Sequence, residues 1–157
     1  MTYLGDTGEI SALYRPSAEI PSVTRPLSTA TFVAPGTATN GQYGLFRWDM
    51  RPESGGPDAH FHKTFSEAFY ILDGTVGLFN GDKWVEAKAG DYLYVPEGGV
   101  HAFHNTSGEA ASMLILFAPG APREKYFIEL AEIAESGREL TDEEWGELWA
   151  RHDQYPA

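Results

Sequence analysis

The 157-residue chain contains no cysteine. Disulfide bridges, thiolate metal sites and cysteine nucleophiles are excluded together, so any metal here must be held by nitrogen and oxygen donors. Positive charge is scarce: 11 Lys and Arg stand against 23 Asp and Glu, a formal net charge of -12. An acidic surface of that size repels phosphate backbones and anionic lipid, which removes nucleic acid and membranes from the expected partners. Long apolar runs are absent too. No stretch reaches the ~20 residues of a membrane-spanning helix, and no basic segment followed by a hydrophobic one opens the chain. The expectation is a soluble cytoplasmic protein with a small-molecule partner.

What is present is apolar and aromatic: 42% hydrophobic and 13% aromatic residues, in a chain long enough to bury a core. One domain spanning 1–157 is expected, in three parts. Residues 1–42 are broken by Pro16, Pro21, Pro26, Pro35 and several glycines, and read as an arm with short edge strands around Thr29–Val33. Residues 43–118 form the core. Strands are predicted over Tyr43–Met50, Ala59–His62, Glu67–Asp73, Thr75–Asn80, Lys83–Glu86, Tyr92–Val95, His101–Asn105 and Ala111–Phe117. Turn signals such as Asp73-Gly74 and Asn80-Gly81-Asp82 separate them, which indicates an all-β sandwich or barrel. Residues 121–152 carry two helices. Tyr126, Phe127, Leu130, Ile133 and Ala134 recur at helical spacing before a stop at Gly137. Thr141 and Glu144 make a capping box for the second, whose Trp145, Leu148 and Trp149 are read as packing residues, not ligand contacts.

Parity assigns the faces. If Glu67 points inward, so do Phe69 and Ile71, yet Tyr70 and Leu72 on the opposite face are also apolar. The same holds for Tyr92 and Tyr94 against Leu93 and Val95. Something must cover that outer face, and a homodimer is the simplest cover. The inward set that would line a pocket comprises Phe69, Ile71, Phe103, Met113, Ile115 and Phe117. On Tyr43–Met50, either Leu45 and Arg47 or Phe46 and Trp48 join it; the register is open.

Chemistry concentrates in four residues. His60 and His62 are two apart, so on an extended strand both rings leave the same face. Glu67 follows five residues later, and His101 sits just past Pro96-Glu97-Gly98. Three neutral imidazoles and a carboxylate suit a divalent first-row metal. His104, three past His101, falls on the opposite face and has a structural or surface role; His152 lies outside the site.

These residues resemble the two motifs of the cupin superfamily. His60, His62, Glu67 and Gly74 match the first, with Ser54 where the family opens on glycine and Gly55 and Gly56 beside it. Gly90, Pro96, Gly98, His101 and Asn105 match the second without deviation. The resemblance implies a double-stranded β-helix, or jelly-roll barrel, bearing the N-terminal arm and two C-terminal helices. It implies that His60, His62, Glu67 and His101 bind one ion: Fe, Mn, Ni, Cu, Co or Zn. Asn105 is expected to bond backbone near the barrel mouth. The likeness is greatest to small quercetin dioxygenase-like cupins. It implies a metal-dependent dioxygenase acting on a flavonol-like or other enol or aromatic compound, with Glu67 as ligand, general base or both. A non-redox cyclase, isomerase or lyase on a polyketide-like or sugar-like substrate is the alternative, followed by a non-enzymatic small-molecule-binding cupin.

Overall fold

A computed structural model describes residues 2–157. Eleven strands and two α-helices follow one another in the order β1 (Ser22–Thr24), β2 (Ser28–Ala34), β3 (Gly44–Met50), β4 (His60–Phe61), β5 (Ser66–Asp73), β6 (Thr75–Phe79), β7 (Trp84–Lys88), β8 (Tyr92–Val95), β9 (Ala102–His104), β10 (Ala111–Ala118), α1 (Arg123–Ser136), α2 (Asp142–Arg151) and β11 (Tyr155–Pro156). A six-stranded antiparallel sheet runs β1-β2-β3-β10-β5-β8; β7-β6-β9 form a second sheet and β11-β4 a third. The architecture is the expected all-β jelly roll with two helices.

β3 shows how alternation builds the core. Phe46, Trp48 and Met50 are buried, while Arg47 and Asp49 meet in an ion pair of 3.0 Å on the outer face. This settles the open register in favour of Phe46 and Trp48: an outward Arg47 with a carboxylate two residues on costs nothing, whereas a buried one would need a partner inside. Phe69, Ile71, Phe103, Met113, Ile115 and Phe117 are all buried, as parity required. Phe46 gathers Phe32, Phe117 and Phe127 edge-on, with ring centroids 5.3–5.8 Å apart, and so docks α1 on the sheet.

Both helices take the predicted signals. Gly137 closes α1 at φ 69°, and Thr141 caps α2 with its reciprocal Glu144 bond in place. α1 begins at Arg123, directly after Pro122. The short edge strands expected around Thr29–Val33 are present, and one further element lay outside the sequence expectation. β1 and β2 form a full hairpin at the sheet edge, and residues 152–157 fold back as β11 onto β4, with Tyr155 opposite Phe61 and Pro156 opposite His60. Among the described residues, no helix is long and apolar enough to cross a membrane.

Candidate metal centre

His60 and His101 are brought together by backbone pairing. Each N–H donates to the other's carbonyl at 3.0 Å, which sets their rings 4.3 Å apart. His62 follows directly after β4, and the Gly98 N–H donates to its carbonyl at 2.8 Å. Glu67 opens the neighbouring β5, opposite Phe117 and Val95. One donor atom from each of the four lies within 4.8 Å of every other, and all four side chains are buried. The group could hold a metal ion.

The donor chemistry fits. Each imidazole has one nitrogen occupied by a backbone carbonyl: Nδ1 of His60 by Asp58 at 2.7 Å, of His62 by Asp153 at 2.6 Å, and of His101 by Gly99 at 3.0 Å. An Nδ1–H that donates outward leaves Nε2 as the free lone pair and fixes the ring plane, the usual preparation of a metal-binding histidine. Glu67 Oε2 lies 3.1 Å from Nε2 of His62 and 2.7 Å from Nε2 of His101. The Nε2 atoms of His62 and His101 and the carboxylate thus converge on the point a cation would take.

The electrostatics follow. Burial, together with the nearby His101, pushes His60 down to about 3, so it is a neutral donor. Burial works to raise Glu67, but His101 and His62 overcome it and hold the carboxylate ionised, well below its ordinary value. For His101 burial is likewise outweighed, by Glu67, and its affinity for a proton rises.

Ser54 occupies the position of the family's opening glycine, and the loop's constraint has moved to Gly56. A Cβ there would stand 1.9 Å from the Phe103 carbonyl oxygen, so only glycine fits. Asn105 is fully buried. Its amide donates to the carbonyls of Arg51 at 3.1 Å and Glu109 at 2.7 Å, and its backbone N–H donates to that of Ser54 at 2.8 Å. It bonds backbone, as expected, and so ties its own turn to the loop at residues 51–54. His104 stacks on Trp84 with centroids 3.9 Å apart, and His152 accompanies Glu129 at 2.7 Å; neither enters the four-residue cluster.

A cavity of about 620 Å³ adjoins the cluster and is lined by His60 and Glu67 among others. Of the expected pocket residues, Phe103, Ile115 and Phe117 line it. Phe69, Ile71 and Met113 do not, and fill the core instead. Phe69 backs His101 from below at 5.9 Å, while Ile71, paired with Met113, sits about 13 Å along β5 from Glu67. Trp145 and Trp149 pack on the core as expected, yet they also line the cavity, so the helix face read as packing alone serves both purposes.

Two contributors were not anticipated. Asp153 lies at φ 54°; its carbonyl orients His62, and its carboxylate accepts from Thr64 N–H at 2.8 Å and Thr64 Oγ1 at 2.6 Å. Arg123 is 5% exposed and lines the cavity. It donates to the His152 carbonyl at 2.7 Å and Gln154 Oε1 at 3.0 Å, so it holds the residues on either side of Asp153. Neither residue belongs to a motif, and both act across more than 25 residues of sequence.

Residues 46–117 match the family model described as a cupin domain. The chain is 33% identical over 60 residues to an uncharacterized protein of Aquifex aeolicus, and 30% identical over 61 residues to quercetin 2,3-dioxygenase of Bacillus subtilis. These matches cover 38% and 39% of this chain, but only 49% and 18% of those two proteins. Among solved structures, a predicted oxalate decarboxylase of Thermotoga maritima superposes with a TM-score of 0.61 at 22% identity, over 68% of this chain and 99% of that one. The polyketide cyclase RemF of Streptomyces resistomycificus gives 0.58 at 18% identity, over 69% and 80%. Such likenesses carry the fold alone. The fold, the domain match over residues 46–117 and both motifs agree in likening this chain to the cupins.

Proposed function

We propose that this cupin-like chain is a metal-dependent enzyme acting on a small organic molecule, with His60, His62, Glu67 and His101 as its metal ligands. The convergence of three backbone-oriented imidazoles and one ionised carboxylate beside an apolar cavity carries the reading. When bound, a divalent ion supplies Lewis acidity toward a substrate oxygen and, if redox-active, electron exchange with dioxygen.

The chain's own residues do the rest. The three carbonyl-bound imidazoles hold their ring planes fixed, with Nε2 left to bind. Glu67 faces both the histidines and the cavity, so it is the group positioned to take the proton of an enol hydroxyl. Trp48, Phe103 and Phe117 give the cavity an apolar wall that holds a planar ring and excludes water. The leading reaction is therefore dioxygenation of a flavonol-like or other enol or aromatic compound, which the similarity to quercetin 2,3-dioxygenase supports. The second is a non-redox cyclisation, isomerisation or lyase reaction, supported by the fold shared with a polyketide cyclase and by the same donor set.

Elemental analysis of the isolated protein, followed by oxygen uptake with flavonols and related enols, separates them. We expect about one first-row metal per chain and oxygen consumed with substrate. Turnover without oxygen uptake selects the second reaction, and protein that takes up no metal defeats both. Glu67→Gln should lose turnover; metal retained in that variant supports the base role, and metal lost with it leaves Glu67 as a ligand.

A second copy of the chain is the proposed partner. Tyr70, Tyr92 and Tyr94 share one outer face of β5 and β8 and are 45%, 63% and 55% exposed, an apolar surface that neither helix covers.

A further inference from the structure

The cavity beside the candidate metal centre contains a positive charge that no carboxylate bonds directly. Arg123 is nearly fully buried, yet it belongs to none of the ion pairs among the described residues. Its hydrogen-bond partners are a carbonyl and an amide oxygen, both uncharged. Its remaining surroundings are aromatic: the guanidinium lies 4.5 Å from the Tyr126 ring centre and 5.4 Å from those of Phe65 and Phe117. A guanidinium carries five N–H donors. The Nε–H of Arg123 is buried without an acceptor, and so is the indole N–H of Trp48, another residue of the same cavity.

Neither carboxylate of the cavity bonds to this charge, although the fields of Glu67 and of Asp153 favour it. Glu67 is engaged by His62 and His101, and Asp58 is exposed to water, where its field is screened. A buried cation with no carboxylate bonded to it and an unpaired Nε–H is costly to keep, and an arriving anion would relieve that cost. Around it stand Trp48, Phe103, Phe127, Leu130, Trp145 and Trp149, a wall for flat apolar rings, and about 620 Å³ suffices for a compound of several rings.

We infer that Arg123 is a specificity-determining residue of this cavity, and that the natural ligand is a ring compound bearing an anionic oxygen group in addition to the oxygen donors it offers a metal. The inference rests on the cavity being the substrate pocket, but its test does not require metal or turnover. Its structural duty toward residues 152–154 would leave ligand charge irrelevant, so charge discrimination is the deciding readout.

The probes are 1-naphthoate and its neutral isostere 1-naphthamide, titrated against metal-free protein by quenching of tryptophan fluorescence. The carboxylate should bind about ten-fold more tightly or better, the worth of one charge-assisted hydrogen bond. Arg123→Met should bring the two affinities within about two-fold of each other, mainly by weakening the carboxylate. Arg25→Ala removes the other arginine lining the cavity and should leave the preference intact. Equal affinities in the wild type, or a preference that survives Arg123→Met or disappears in Arg25→Ala, would overturn the assignment. Should Arg123→Met fail to fold, the wild-type and Arg25→Ala comparison still decides. A protein that binds no metal but keeps the preference retains the anion site and defeats only the metallo-enzyme reading.

Discussion

Single residues divide sharply at the candidate centre. His62→Ala and His101→Ala should each lose most bound metal, whereas His104→Ala and His152→Ala should keep it, as metal-to-protein ratios after desalting will report. Wild-type metal content in the first pair would defeat the ligand assignment. Acid sensitivity follows from His60. Its folded value of about 3 lies below its ordinary 6.5, so the unfolded chain binds a proton that the folded one refuses. The stability present above pH 6.5 is therefore lost as pH falls from 6.5 toward 3. The Tm of metal-free protein should drop across that window, and less steeply in His60→Asn. His101 runs the other way: its contribution is present below 6.5 and lost as pH rises through its raised value. The four candidate ligands were legible because fixed spacing on strands and turns brings them to one point. Arg123 and Asp153 were not, since nothing near them in sequence foretells that an arginine at a helix start and an aspartate after a helix end meet beside a barrel strand.

Elements show what periodicity can and cannot decide. Parity placed Phe69, Ile71, Phe103, Met113, Ile115 and Phe117 inside, but it could not tell cavity wall from core, because both are apolar and differ only in distance along the strand. On β3 the two faces carry Leu45 and Arg47 or Phe46 and Trp48, and alternation alone is neutral between them; the Arg47–Asp49 pair decides. β11 was invisible because two residues carry no period, although its consequences reach the centre. It keeps Asp153 against His62, so Asp153→Ala, which drops the side-chain bonds to Thr64, should loosen that ring and weaken metal binding about ten-fold while the far-ultraviolet circular dichroism is unchanged. Competition against a chelator measures this. Unaltered affinity would mean that β11 pairing alone holds the carbonyl in place.

For the whole molecule, the tyrosine face of β5 and β8 sets the expected assembly. Tyr92→Glu places a charge amid Tyr70 and Tyr94 and should convert a dimer to a monomer in light scattering, with the fold retained; an unchanged mass would remove this face from the interface. The long reach from His62 to Asp153 has one more consequence, in the order of synthesis. The two residues are separated by 91 positions, so at roughly 5–20 residues per second His62 leaves the ribosome some 5–20 s ahead of the carbonyl that orients it. During that interval the barrel strands can pair while the ring of His62 still turns freely. A nascent chain halted before residue 153 should therefore hold metal more loosely than the released one, with capture waiting on the segment that folds back last.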